Sequence, residues 1–485
     1  MGSPSTPASP SVSDEDIWAP LRKDIESRVE VVQQLAIATR LSQATIPISE
    51  STLTCTPIAP PQCGSYNAVY ELRFSDGVRW ALRVPQRMWS ASRTRAMQLD
   101  ILAQTYISSH TGIPIPKIHA YSCDRDNVLG YPYIVMDFVP AKRLVSVWND
   151  ASWWTGSRSR DRVLEQMASH MVDMARLKFD TIGRLDYIDA SQPDKGVHVV
   201  PFHEHPDWEE HDFIEPPPGL AAWQAERAHL EFGPFTSTYA WLRAMLEERR
   251  RFDKGKDLVV LQLLLGVVPE TTYDGGPFVF VHGNLDSQNV LVDDEGNIAA
   301  IIDWDDTFVG PRQLGALGYP PWLTVDWDPT FHGWNVNADA EHNSRHDSPE
   351  ELIRLRKVYL DAVDAASGGT LTGPVRNSHI ASSVYCAITS PESTPMAMLR
   401  LSQYIFGRSY ACLTIEDELH SSSAWLNAKE TDTAECLDFY QPSASRIDSS
   451  SEAGGSGTGS DDTSEDETGT SWATERGEDT AALPA

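Results

Sequence analysis

The sequence predicts an α+β fold, and three observations carry that expectation. Its first part holds β-rich runs. Two of them, Val69–Phe74 and Arg79–Val84, are separated by Ser75-Asp76-Gly77-Val78, where Asp-Gly marks a tight hairpin. After residue 150 the periodicity becomes mainly helical, over Arg160–Lys178, Phe235–Arg251, Lys256–Gly266 and Glu350–Ala366. The final stretch, residues 448–485, holds ten acids against one base and almost no apolar residues, too little to bury a core.

The remaining elements follow in order. Residues 1–14 are rich in Ser and Pro and are expected to be disordered. Apolar residues then recur at helical intervals from about Ile17 to Leu41. A helical stretch over Arg95–Ser109 precedes a Pro-marked turn at Ile113–Pro116 and a strand over Pro132–Phe138. One further hairpin, Phe278–Val281 with Val290–Trp304, interrupts the helical part. The expected division is a disordered start at 1–14, an N-terminal unit at 15–140, a helical unit at 141–440 and a disordered acidic tail at 441–485.

Composition bounds the function. The 485 residues include 41% hydrophobic and 22% charged, an ordinary globular balance. A net charge of −30 argues against binding a nucleic-acid backbone or an anionic membrane surface. It is compatible with a cationic small molecule, although net charge is not the charge of one cleft. Cys55, Cys63, Cys123, Cys386, Cys412 and Cys436 form no C-x-x-C pair and fit no zinc spacing, so they read as thiols in a reducing compartment. No run reaches the roughly 18 apolar residues of a membrane span, and Leu258–Val268 reads as a buried helix. No signal peptide is visible, and the expected setting is soluble and cytoplasmic.

The segment with the most chemistry is Phe278–Trp304, FVFVHGNLDSQNVLVDDEGNIAAIIDW. A strand delivers His282-Gly283 into a polar loop that ends at Asn289. Val290–Val292 is a strand, Asp293–Asn297 a turn, and Ile298–Ile302 returns to Asp303. A hairpin of this kind brings Asn289 and Asp303 to one end. Two oxygen ligands at one spot suit Mg²⁺, which leaves its other positions to phosphates and water.

This segment resembles the catalytic region of the aminoglycoside phosphotransferase and choline kinase family, written H-G-D-x-x-x-x-N followed by I-D-W or I-D-F. The resemblance implies a two-lobed protein-kinase-like fold, with a small antiparallel-sheet N-lobe and a larger, mostly helical C-lobe. It implies ATP and Mg²⁺ as cofactors, with Asn289 and Asp303 as metal ligands. One position departs from the pattern: Asn284 stands where the family has its catalytic Asp. An amide takes no proton at ordinary pH, though it can orient a hydroxyl. Asp286 lies two residues on. It either substitutes as the base or caps the loop, the plainer reading.

Weaker matches occur in the first part. Gly64-Ser65-Tyr66-Asn67 resembles the family's reduced phosphate loop. In the next strand Trp80, Leu82 and Val84 point one way and Ala81 and Arg83 the other. Kinases use A-x-K there, and fungal members resemble this sequence in having Arg, which contacts phosphate bidentately. By resemblance Asp100 is the helix carboxylate that pairs with Arg83, although it fits a helix-surface acid as well. Met136-Asp137-Phe138-Val139 match the hinge whose backbone N–H and C=O groups would read adenine. Trp322 and Trp327 read as core. The resemblance spans roughly residues 45–420.

Three functions remain open at this point: an ATP-dependent kinase of a small-molecule hydroxyl, a pseudokinase acting as a nucleotide- or partner-binding regulator, and a fold kept for another binding task. Acceptor choice would lie in the insert around residues 186–250.

Overall fold

In the computed structural model the periodic stretch after residue 17 forms two helices, α1 (Ala19–Ser27) and α2 (Val29–Ser42). The structure describes residues 18–43, 53–202 and 232–406, apart from 88, 252, 254, 267–269, 328–331, 336 and 392. The expected disordered start and acidic tail lie outside the described residues, as does the middle of the insert at 186–250.

Five strands follow: β1 (Cys55–Cys63), β2 (Asn67–Phe74), β3 (Arg79–Pro85), β4 (Ile118–Ser122) and β5 (Tyr133–Asp137). Helix α3 (Ala91–His110) lies between β3 and β4 in sequence. The strands form an antiparallel sheet in the order β1-β2-β3-β5-β4. The β2–β3 turn is the expected hairpin. Gly77 takes φ +84°, and Asp76 Oδ1 accepts the Val78 N–H at 3.2 Å. Strand β1 contains Pro57, Pro60 and Pro61, which hide it from a pattern reading. It is an edge strand, where a missing N–H is tolerated. Alternation gives the sheet two apolar faces. Leu72, Trp80, Leu82 and Val84 pack with Ile25, Val32 and Ala36 of α1 and α2. Ile134 packs with Met97 and Ile101 of α3.

The larger lobe contains β6 (Lys142–Arg143), α4 (Arg160–Met174), β7 (Arg184–Tyr187), β8 (Val197–Val200), α5 (Thr238–Arg249) and α6 (Lys256–Leu265). It continues through β9 (Val279–Val281), β10 (Val290–Val292), β11 (Ile298–Ile301) and β12 (Phe308–Gly310). Helices α7 (Ala340–Asn343), α8 (Pro349–Ser367), α9 (Thr372–Arg376), α10 (Ser378–Thr389) and α11 (Thr394–Phe406) complete it. One core joins Leu164 and Met171 of α4, Tyr359 of α8, Phe280 and Trp304. Local chemistry sets the ends of α8: Ser348 caps its first turn, Pro349 opens it, and Gly368 closes it in the left-handed conformation.

The expected hairpin of Phe278–Val281 with Val290–Trp304 is corrected. Strand β9 pairs with β12, and the hairpin is β10 with β11 alone. The polar loop after Val281 ends in a short 3-10 turn, Ser287–Asn289, instead of folding back on β9. Helix α6 carries the apolar stretch expected to be a buried helix, but only one face is inside: Leu258, Leu261 and Leu264 are buried, Val259 and Leu263 are exposed, and Val267 and Val268 lie outside the described residues. Among the described residues no helix is long and apolar enough to cross a membrane. Cys55, Cys63 and Cys123 are free thiols.

Candidate active site

The cleft is a cavity of about 930 Å³ between the sheet and the β10–β11 hairpin. Its lining includes Gly64, Ser65, Ala81, Arg83, Met136, Phe138, Asn284, Asn289 and Asp303. Of the predicted site residues, only Asp100 and Asp286 stand outside it.

Strand alternation puts Arg83 there. Leu82 and Val84 are wholly buried in the sheet core, so Arg83 and Ala81 face the opposite way. The Arg83 guanidinium is gripped by Asp305: Nη1 donates to Oδ1 at 2.9 Å and Nη2 to Oδ2. Nη2 also approaches Asp303 Oδ1 at 3.4 Å. The Asn67 amide oxygen accepts from Arg83 Nη2 at 2.8 Å in the orientation that satisfies both groups. Burial works against the Arg83 charge, and Asp305 and Asp303 more than restore it, so its pKa is raised.

The expected Arg83–Asp100 pair is therefore not the one formed. Asp100 is buried and accepts from Arg184 Nη2 at 2.7 Å, a residue of β7 in the other lobe. Burial pushes its carboxyl well up, against the pull of Arg184. Asp305 takes the place assigned to Asp100. The acidic run Asp303, Asp305, Asp306 is the signal in the sequence that points to it.

The hairpin brings Asn289 and Asp303 to one end, as expected. Ile302 N–H donates to Asn289 O at 2.9 Å, which joins the two segments. Asn289 Nδ2 donates to Asn284 O at 2.8 Å, so the other amide atom left for a cation is an oxygen. Asn284 Nδ2 in turn reaches Asp303 Oδ2 at 3.4 Å. Asp303 adopts φ 64°, rare for a residue with a side chain. Burial pushes its carboxyl up; Arg83 opposes this and Asp305 adds to it. A divalent cation at Asp303 would favour its charged form. Among the described residues no cluster of three or more His, Cys, Asp or Glu could hold a metal. One carboxylate and one amide oxygen fit Mg²⁺, which draws its remaining ligands from phosphate and water.

His282 holds this arrangement from behind. Its Nδ1 accepts the Asn284 N–H at 3.2 Å, so its Nε2 is the donor to Ile302 O at 3.0 Å. Burial keeps the ring neutral, with its pKa lowered to about 4. Asp286 is a cap: its Oδ1 accepts the Ser287 N–H at 2.5 Å at the start of the turn carrying Asn289. At the hinge, the Asp137 and Phe138 N–H groups already donate to Lys117 O and Arg79 O. Those two N–H groups are thus taken up within the sheet.

The model of the phosphotransferase enzyme family (APH) matches residues 58–314, more than half of the chain. The chain belongs to that family. Its match contains the loop at Gly64, Arg83, the β10–β11 hairpin and Asp303. A 144-residue stretch is 25% identical to altered inheritance of mitochondria protein 9, mitochondrial, of Debaryomyces hansenii, covering 29% of this chain and 23% of that protein. A stretch of 87 residues is 44% identical to clavilactone A biosynthesis cluster protein Y of Ampulloclitocybe clavipes, covering 17% of this chain and 19% of that one. The chain thus spans about a fifth to a quarter of the length of these two relatives. Among solved structures, a macrolide 2′-phosphotransferase from Brachybacterium faecium aligns with a TM-score of 0.39 and 15% identity, over 78% of this chain and 98% of that one.

Proposed function

We propose that this chain binds ATP with Mg²⁺ and transfers the γ-phosphate to a hydroxyl of a small molecule. The observation that carries this reading is the linked set Asn289, Asn284, Asp303 and Arg83 along one wall of the cleft. Asn289 and Asp303 would hold the metal, which would neutralise charge on the transferring phosphoryl group. Arg83 supplies a permanent positive charge beside that position. Ala81, small and buried, leaves room at the sheet for a base. Asn284 is placed to orient an acceptor hydroxyl through hydrogen bonding. The thiols of Cys55, Cys63 and Cys123 support a reducing compartment such as the cytoplasm. The acidic composition favours a cationic acceptor.

Asn284 also supports a second reading, a pseudokinase that binds nucleotide as a regulator. Its Nδ2 faces Asp303 as a donor, and it cannot accept a proton. The first test is thermal unfolding with and without Mg²⁺ and ATP, since a ligand of the folded state alone raises its stability. No shift at saturating ATP rejects both readings. The second is ADP release by wild type and Asn284→Asp. A missing base accounts for a rate increase of up to about 10²–10⁴ in the variant. Nucleotide binding without turnover in either protein, over a panel of acceptors, selects the pseudokinase.

A further inference from the structure

Helix α1 precedes the stretch that the family model covers, yet it is linked through Gln86 to Gly64, a residue of the cleft wall. Arg22 Nη1 donates to Gln86 Oε1 at 2.7 Å across 64 residues of sequence. Gln86 is only 3% exposed, deep for a polar side chain. Its Nε2 donates to Gly64 O at 3.3 Å, and its backbone N–H donates to Tyr66 O at 2.7 Å. The loop so held has further ties at Tyr66, where Arg87 lies 3.8 Å over the ring and the Asn67 amide donates to the carbonyl at 3.2 Å. Gly64, Ser65 and Tyr66 are exposed, and a single backbone bond, Gly64 N–H to Asn67 O at 3.0 Å, closes the turn. The far end of the loop is Asn67, whose amide oxygen lies on Arg83.

The helix itself is anchored. Ile25 is buried in the sheet core, Tyr131 Oη donates to Asp24 Oδ2 at 2.8 Å, and Arg28 Nη1 donates to Leu129 O at 3.2 Å. A fixed helix, one buried amide and an exposed loop make a relay that ends on the phosphate-facing cation.

We propose that α1 sets the loop Gly64–Asn67 through Arg22 and Gln86, which makes these two residues positioning residues for the nucleotide phosphates. The inference rests on the ATP reading of the cleft. An exposed loop loses backbone freedom when it closes on phosphate. A loop already fixed by Gln86 loses less, and the gain appears as affinity for the phosphates and not for the nucleoside.

The test measures Kd for Mg²⁺–ATP and for adenosine by calorimetry, on wild type, Arg22→Ala, Arg22→Lys, Gln86→Met and Gln86→Glu. Gln86→Glu keeps an acceptor for Arg22 but has no donor for Gly64 O. Its ATP affinity should fall by roughly three- to tenfold, the worth of one hydrogen bond, with adenosine affinity unchanged. Arg22→Ala should show the same split, and Arg22→Lys should restore part of it. Equal losses for ATP and adenosine mean general loosening and overturn the proposal, as does unchanged ATP affinity in every variant. If Gln86→Met fails to fold, Arg22→Ala, at a half-buried position, carries the same comparison. A wild type that binds neither ligand removes the ATP reading and this inference together. A wild type that binds both, with variants equal to it, removes the relay alone.

Discussion

Replacing His282 by Gln separates the structural and electrostatic roles of the motif histidine. His282 is 6% exposed and makes two hydrogen bonds that tie the Asn284 loop to the return strand. Gln can still donate to Ile302 O but takes away the acceptor of the Asn284 N–H, a loss of about 0.5–1.5 kcal/mol at pH 7. Acid changes this. The ordinary His pKa is 6.5 and burial lowers that of His282 to about 4. Between those values the unfolded chain takes up a proton that the folded chain refuses, so stability falls with pH. Wild type should lose about 2 kcal/mol from this residue by pH 5 and about 3 kcal/mol by pH 4. The variant has no such group. His379, also lowered by burial, to about 3, is present in both proteins and cancels. Guanidinium unfolding of the two proteins at pH 7 and pH 5 measures the difference. The stability gap should shrink by about 2 kcal/mol, to near zero or below. A gap that stays constant with pH would mean that His282 is not held neutral, and the argument from its two hydrogen bonds would fall.

Three other outcomes follow from the geometry. Asp303→Gly should remove a side chain from a left-handed backbone position, raising stability by up to about 1 kcal/mol while abolishing Mg²⁺-dependent nucleotide affinity; Mg²⁺ titrations with full affinity would exclude Asp303 as the ligand. Arg184→Met leaves Asp100 buried without its partner and should cost about 3 kcal/mol near pH 8. The loss should be smaller at pH 5, because Asp100 can then take up a proton, and unfolding curves at both values check this. Asp286→Ala should cost about 1 kcal/mol as a lost cap and leave turnover standing; loss of turnover would identify Asp286 as the base.

Local chemistry made the hairpin legible. Val290–Val292 and Ile298–Ile301 flank a turn built on Glu295-Gly296, so Asn289 and Asp303 had to meet. The direction of Arg83 was legible for the same reason, from two-residue alternation in β3. What Arg83 would pair with was not, because Asp305 lies 222 positions away and has acidic neighbours of equal standing. Asp100 met Arg184 for a comparable reason, through a lobe contact that no spacing encodes. Strand β9 looked like half of a hairpin because β10 is its neighbour in sequence, while its partner β12 lies beyond the next two strands. Gln86 carries no motif, and its role depends wholly on where α1 docks.

The pairing of Asp100 with Arg184 also bears on control. By resemblance, α3 stands where protein kinases have a helix whose position controls the enzyme. Here α3 is fastened to β7 at two points, Asp100 to Arg184 and Arg95 to Asp186. Swinging it outward would have to break both ion pairs. The acid beside Arg83 sits instead on the short loop after Asp303, so movement of α3 alone would not part Arg83 from its carboxylate.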